Sequence, residues 1–133
     1  EHMREALAKA RRDAREGVAL DFATLQRWQR IVLGGGDVSF REVDAHSHQG
    51  RQRFGLEVDT ASSFDRCLAQ ANDSRVSAKV RAARVYLDVC FYHPFYDGNA
   101  RAARLALDYV LTQAGLLLSP AEPAFLLARY AED

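Results

Sequence analysis

The sequence predicts an all-α fold, a helical bundle with one small inserted β-hairpin. Apolar residues recur at helical spacing in several separate stretches. Glycines that end helices, and Asp, Ser and Pro residues that begin them, lie between these stretches. Residues 37–59 have no helical period and are interrupted by Gly50, which predicts a loop with a short hairpin. A length of 133 residues is expected to form a single domain, residues 1–133.

The first part of the chain predicts two helices. Residues 4–16 combine Ala, Leu and Arg, which favour helix, and this stretch ends at Gly17. Asp21 is the expected N-cap of the second helix, which stops at three consecutive glycines, residues 34–36. The second helix has one apolar face, formed by Phe22, Leu25, Trp28 and Val32.

Two more helices are predicted between the hairpin region and the centre of the chain. The third helix starts at Thr60 or Ser62 and is broken by a polar Asn-Asp-Ser run. The fourth helix spans residues 75–92, with Ser74 as its expected N-cap. Its end, residues 85–92, is apolar on nearly every side, which predicts a central and buried helix.

The fourth helix must end before Pro94, because proline cannot continue a helix without a large cost. A fifth helix is predicted from about Asn99 to Gly115. Residues 119–122, Ser-Pro-Ala-Glu, form a capping box with proline at the first helical position. They predict a last helix.

Composition limits the classes of partner. Lysine plus arginine and aspartate plus glutamate number 18 each, so bulk charge predicts no nucleic acid and no membrane as partner. No stretch approaches the roughly 18 apolar residues of a membrane span. Cys67 and Cys90 lie in apolar helical patterns and are expected to be buried thiols of a reducing compartment. We therefore expect a cytoplasmic protein, or one delivered into a host cytoplasm.

The residues best suited to chemistry are concentrated in residues 93–104, called the motif loop here, between the two central helices. A histidine ends one helix, and the next opens with Arg101 and Arg104 on the same face. Backbone N–H groups at a helix N-terminus attract anions, and arginines strengthen the attraction for phosphate. Asp97 is suited to hold a Mg²⁺ ion that bridges phosphate oxygens.

Each of these residues also has a purely structural interpretation. His93 can interact with the negative end of the fourth helix dipole. Asp97 can pair with Arg101 or Arg104, and residues 98–99 can form an ordinary turn. A phosphate site is favoured by the coincidence of all the features in one block.

The motif loop resembles the signature of the Fic family, HPFx(D/E)GNGRxxR. The matching residues are His93, Pro94, Phe95, Asp97, Gly98, Asn99, Arg101 and Arg104. The sequence departs from the signature at Ala100, where the family has a second glycine. The family places this loop between two central helices and has a small upstream hairpin, the flap, which corresponds to residues 40–58 here. The resemblance implies a Fic-like helical bundle with a flap.

The resemblance also implies an activity. The implied activity is that of a nucleotidyltransferase, which moves a nucleoside monophosphate from ATP, or another NTP, to a Ser, Thr or Tyr hydroxyl of a protein. It implies that His93 is the general base, Asp97 the Mg²⁺ ligand and Phe95 a core anchor of the loop. The implied nucleotide- and phosphate-binding residues are Gly98, Asn99, Ala100, Arg101 and Arg104. The implied protein target docks on the flap as an added strand.

Ala100 leaves other activities open. If its φ were positive, the methyl group would cost about 1–2 kcal/mol and crowd the phosphates. In a first helical turn, alanine would be harmless. The related death-on-curing toxins have lysine at this position and act as kinases. The alternatives are a Doc-like phosphotransferase and a degenerate Fic-like binding module without turnover.

The resemblance raises the question of an inhibitor. Many family members carry an inhibitory glutamate in an (S/T)xxxE(G/N) helix, and this glutamate pairs with the second motif arginine. Glu16 and Gly17 match the end of that pattern, but Arg12 does not match its beginning. Glu16 is therefore a candidate inhibitory residue, the alternative being a helix end with a glycine cap. Otherwise the inhibitor is a separate protein.

Overall fold

A computed structural model describes residues 1–47 and 50–116. Within these ranges the chain has five α-helices and one two-stranded sheet. The helices are α1 (His2–Arg15), α2 (Phe22–Val32), α3 (Thr60–Ala69), α4 (Ala78–Tyr92) and α5 (Asn99–Gln113). The strands are β1 (Ala45–Ser47) and β2 (Gln52–Phe54), paired antiparallel with Ala45 opposite Phe54. The predicted helical bundle with one small hairpin is confirmed, while the helix predicted after Ser119 lies outside the described residues.

The first two helices begin and end close to the predicted positions. Gly17, just beyond the end of α1, has a φ of +75°, which glycine adopts without strain. Asp21 caps α2, because its carboxylate accepts a hydrogen bond of 2.8 Å from the N–H of Thr24. Leu25 and Trp28 on the predicted apolar face are fully buried.

The start of α4 differs from the prediction. The helix begins at Ala78 rather than at residue 75, and Ser77 is its cap, since the hydroxyl accepts a hydrogen bond of 3.3 Å from the N–H of Val80. Ser74 lies in a turn instead. This turn is stabilised by Asp73, whose carboxylate binds the N–H and the guanidinium of Arg75. That local pair competes with helix formation, so the helix starts one turn later.

The core is built around α5, which is buried along most of its length. The ring centres of Trp28 and Tyr109 lie 5.5 Å apart between α2 and α5. The end of α4 was expected to be buried on every side, and this is wrong on one face. Leu87 is 42% exposed and Phe91 is 74% exposed, because no element among the described residues covers this side of α4.

The helix directions determine which end of the bundle carries the motif loop. The His2 side chain lies against Gly34, so the start of α1 meets the end of α2. The end of α2 also reaches the motif loop, where the Gln29 amide donates to the carbonyl of Gly98 at 3.0 Å. At the other end, the Tyr109 hydroxyl donates to the carbonyl of Val18. Hence α1 and α5 run in the same direction, with their N-terminal ends near the motif loop.

None of the helices in the described ranges is long and apolar enough to cross a membrane.

Candidate active site

The motif loop leaves α4 through a left-handed turn at His93. This residue is the C-cap of α4, with φ +50° and ψ 59°, and its N–H still bonds to the carbonyl of Val89 at 2.9 Å. It has the only positive φ among the non-glycine residues of the described ranges. Such a conformation costs about 1–2 kcal/mol, so the surrounding contacts must hold it.

Asn99 holds the motif loop closed from inside. Its side-chain oxygen accepts from the N–H of Phe95 at 2.9 Å, and its amide donates to the Phe95 carbonyl at 2.8 Å. Asn99 is buried, and its amide shapes the loop through these two bonds. Its role in phosphate binding stays a prediction. From outside the loop, Gln29 of α2 donates to the carbonyls of Asp97 and Gly98 at 2.8 and 3.0 Å.

Phe95 lies in the core beneath the loop. It is fully buried, and its ring is stacked on Phe22 at the start of α2, with 5.6 Å between centres. Phe22 in turn contacts Phe40 and Phe64, so the loop, the flap, α2 and α3 share one aromatic cluster. This position is the one expected of a loop anchor.

The motif loop ends in the first turn of α5. Gly98 precedes it with a φ of +73°, and a Cβ there would lie 2.6 Å from the Gln29 side chain. Ala100 lies inside α5, where it is exposed and has a negative φ. Its backbone is therefore not strained by the methyl group. The N–H groups of this turn have no partners within the helix and favour an anion.

Asp97 is the carboxylate of the loop best placed for a metal. Its side chain is 79% exposed; one oxygen accepts from the N–H of Gly98 at 2.8 Å, and the other lies 3.8 Å from Nη2 of Arg101. No cluster of three or more His, Cys, Asp or Glu side chains suited to a metal occurs in residues 1–47 and 50–116. Mg²⁺ shared with phosphates needs only one or two carboxylates, so Asp97 fits such an ion.

Arg104 is held by a buried carboxylate that the sequence analysis did not single out. Its Nε donates to Asp108 at 2.8 Å, and the other oxygen of Asp108 lies 3.1 Å from Nη2 of Arg11 on α1. Arg101 and Arg104 therefore differ, since Arg101 is exposed beside Asp97 while Arg104 is anchored to the bundle.

The imidazole of His93 lies against the flap. Its ring is stacked on Phe54 of β2, with 4.0 Å between centres and 12° between planes. Burial lowers the pKa of His93 from its ordinary value of 6.5, and the nearby positive charge of Arg41 lowers this pKa further. The ring is consequently neutral at pH 7, which is the form that accepts a proton.

Arg41 joins the flap to the end of α4. It is only 2% exposed, and its guanidinium donates to four backbone carbonyl groups at 2.7–3.0 Å. These carbonyls belong to Val43, Gly55, Tyr92 and His93. Arg41 was not among the residues singled out from the sequence. A lone arginine beside an aromatic residue gave no signal that it would be buried.

Two further hydrogen bonds connect the flap to the motif loop. The N–H of Arg41 donates to the carbonyl of Pro94 at 2.8 Å. The N–H of Glu42 donates to the hydroxyl of Tyr96, also at 2.8 Å. Tyr96 is otherwise exposed, as expected for a residue at the tip of the loop.

A cleft of about 430 Å³ opens between the flap and the exposed face of α4. Its lining includes Phe54, Cys90 and Phe91, together with Gln52 and Thr60. Phe54, which lines this cleft, also stacks on the imidazole of His93 and so joins the cleft to that residue.

Glu16 lies far from the motif loop. It is the exposed C-cap of α1, two residues before Val18, whose carbonyl binds Tyr109. Because α1 and α5 run in the same direction and Arg11 pairs with Asp108, Glu16 lies towards the end of the bundle opposite the motif loop. The inhibitory role of Glu16 stays a prediction.

The family described as the Fic/DOC family matches the chain over residues 19–111. The match covers well over half of the chain, including the flap and the motif loop, and leaves α1 outside. No curated protein matches the chain.

Proposed function

Because the chain belongs to the Fic/DOC family, we propose that it transfers a nucleoside monophosphate from an NTP to a hydroxyl group of a protein. The observation that carries the proposal is that one short segment holds the neutral imidazole of His93, the exposed carboxylate of Asp97 and the N-terminus of α5. A proton acceptor and an anion site are the two elements that this transfer needs.

In the proposed reaction, His93 takes the proton from the target hydroxyl. The hydroxyl oxygen then bonds to the α-phosphorus of the NTP, the bond to the β-phosphate breaks, and pyrophosphate leaves with the electron pair. A positioned general base of this kind typically contributes about 10²–10⁴ in rate. The stacked Phe54 ring and the left-handed backbone hold the imidazole in one orientation for this step.

The charge that develops on the phosphates is met by the first turn of α5. Its N–H groups, Arg101 and Arg104 neutralise phosphate oxygens, which makes pyrophosphate a better leaving group. A Mg²⁺ ion held by Asp97 would supply further positive charge to the same oxygens. Glycine suits position 98, because its φ is +73° and a side chain there would also displace the Gln29 amide from the loop.

The helical backbone at Ala100 supports nucleotidyl transfer over the two alternatives. An alanine in a first helical turn leaves the phosphate-binding N–H groups in place, so the loop keeps the form needed for turnover. Alanine also lacks the long cationic side chain that the kinase-type relatives have at this position. ATP is our first choice of NTP.

The cleft beside the flap supports a protein as the acceptor. Within residues 1–47 and 50–116 no third strand pairs with the hairpin, and the edge of such a hairpin can pair with an extended segment. Apolar side chains such as Phe91 line the adjoining cleft and can hold a neighbouring side chain of that segment. This arrangement brings a target hydroxyl towards His93 through backbone pairing, with little demand on the target sequence.

The test is label transfer from NTPs into protein. The full chain is incubated with Mg²⁺, a cell extract and each of ATP, GTP, CTP and UTP, labelled either at the α- or at the γ-phosphate. We expect α-label in protein from one NTP, and its loss in His93→Ala, which keeps its affinity for that NTP.

Intact-mass measurement of the chain itself gives the size of the transferred group. Transfer of γ-label alone would identify a phosphotransferase instead. Equal α-label in the wild type and His93→Ala would exclude His93 as the base, and nucleotide binding without any transfer would identify a binding module.

A further inference from the structure

Asp108 is a buried carboxylate one helical turn beyond Arg104. Its side chain is 3% exposed and contacts two arginines from different helices. Oδ2 accepts from Nε of Arg104 at 2.8 Å, and Oδ1 lies 3.1 Å from Nη2 of Arg11. A carboxylate is rarely buried unless such partners compensate its charge.

These contacts fix the direction of the Arg104 guanidinium. An arginine side chain has many rotamers, and ordering it on ligand binding carries an entropic cost. Here Nε is already engaged by Asp108, while the side chain remains 31% exposed. The planar guanidinium is therefore held in one orientation at the surface, before any ligand binds.

We propose that Asp108 is a positioning residue that orients Arg104 towards the phosphates, and that Arg11 makes α1 part of the nucleotide site. The inference rests on the proposed function, because it assigns Arg104 to phosphate binding. It deepens that function by adding residues beyond the motif loop, one of them outside the family match of residues 19–111.

Asp13 provides a control for the general effect of replacing a buried aspartate. Asp13 is also a buried aspartate with two side-chain partners, since it accepts from Lys9 and from Trp28 Nε1, both at 2.8 Å. It lies nearer the C-terminal end of α1, on the side away from the motif loop. A role for Asp108 that was only structural would make the two aspartates equivalent in a binding experiment.

The experiment measures affinity for phosphate chains directly. Full-length Asp108→Asn, Asp13→Asn and wild type are titrated calorimetrically with Mg-ATP and with Mg-tripolyphosphate, which carries no base. We expect Asp108→Asn to weaken binding of both probes roughly tenfold, the size of one oriented charged hydrogen bond. Asp13→Asn is expected to lower the unfolding temperature and to leave both affinities unchanged.

A double-mutant cycle separates positioning from a general disturbance of the site. If Asp108 acts through Arg104, Asp108→Asn has no further effect on affinity in an Arg104→Ala background. Arg11→Gln, which keeps the pair between Asp108 and Arg104, is expected to weaken binding by a smaller factor, about threefold. An equal loss from Asp108→Asn in both backgrounds would overturn the proposal.

The remaining outcomes are also decisive. Unchanged affinity in folded Asp108→Asn would overturn the inference and leave the proposed function standing. If Asp108→Asn does not fold, Asp108→Glu and Arg11→Gln replace it, and unchanged affinity in both would again overturn the inference. A wild type that binds neither probe would overturn the proposed function, and the inference with it.

Discussion

The motif loop and the flap meet at His93, but they are held in place in different ways. The motif loop is closed by contacts between residues only four apart, Phe95 and Asn99. The flap has strands of three residues each, which are too short to be stable alone. It is fixed through Arg41, whose guanidinium reaches the His93 carbonyl 52 residues along the chain.

This difference separates two properties of the site. The hydrogen bonds that close the loop lie within residues 95–99, and Gln29 of α2 adds two more, so none of these bonds involves the flap. The flap depends on the long-range contact of Arg41, so the environment of the imidazole can change without a change in the first turn of α5. Substitutions at Arg41 and Asn99 should accordingly have different effects on stability and on nucleotide affinity.

Arg41→Met is expected to have the largest effect on stability. It leaves several buried carbonyl groups without a donor, each at a cost of about 1–3 kcal/mol, so we expect a loss of about 3 kcal/mol or more in the free energy of unfolding. Urea unfolding measures this loss. Mg-ATP affinity of the folded fraction should stay close to that of the wild type, because the motif loop does not lose its internal contacts.

Arg41→Lys is the control for Arg41→Met, because it keeps the charge but cannot reach four carbonyls at once. It should recover only part of the stability. A nucleotide affinity that falls in step with stability in both variants would show that the flap and the motif loop are not separable.

Asn99→Ala tests the motif loop. Two buried hydrogen bonds to the Phe95 backbone are lost, so we expect the free energy of unfolding to fall by about 2 kcal/mol. In contrast to Arg41→Met, this variant should lose Mg-ATP affinity by about tenfold or more, because the first turn of α5 is no longer aligned with Asp97. Calorimetric titration compares the two.

Asn99→Asp is the matched variant, since it keeps an acceptor for the N–H of Phe95 and loses the donor to its carbonyl. Intermediate stability and affinity are expected. Retention of full affinity by Asn99→Ala, despite lower stability, would contradict the shaping role of the buried amide.

The same contrast explains how much of the molecule could be predicted from sequence. Helical periodicity and local caps such as Asp21 were enough to predict the helical bundle. The hairpin was predicted where this periodicity is absent. The motif loop was recognisable because its chemistry is concentrated in twelve consecutive residues, 93–104. Local capping was ambiguous at Ser74 and Ser77, where the competing contact of Asp73 was not evident.

The long-range part of the site could not be predicted. An arginine in a sequence is normally an exposed residue, so neither Arg41 nor Arg11 indicated a buried partner. Asp108 fell within an apolar helical pattern, and its pairing with α1 depends on how two distant helices pack. The exposed face of α4 was missed for the same reason, since an apolar pattern does not show which neighbours are present.

The pH dependence of transfer tests the environment of His93. Burial and the charge of Arg41 lower the pKa of His93. We therefore expect kcat/KM to be independent of pH around pH 7 and to fall only below about pH 6.5, where the imidazole becomes protonated. The folded state takes up this proton less readily than the unfolded state. Stability conferred by the neutral ring is therefore lost as pH falls below about 6.5.

Arg41→Gln should move the acidic limb of kcat/KM to higher pH, since one of the two causes of the lowered pKa is removed. Arg53→Gln is the control, because Arg53 is a mostly exposed flap cation paired with Asp44 at 2.8 Å. Its pH profile should match the wild type. An acidic limb above pH 7 in the wild type would contradict the lowered pKa.

Ala100→Gly, which restores the family residue, is expected to have the smallest effect. Ala100 already has a helical backbone in an exposed first turn, so glycine brings no release of strain and costs about 0.5–1 kcal/mol of stability. Transfer should stay within about twofold of the wild type, because the N–H groups of this turn keep their directions. Label transfer and urea unfolding measure the two effects. A tenfold rise in transfer would instead show that the methyl group of Ala100 crowds the phosphates.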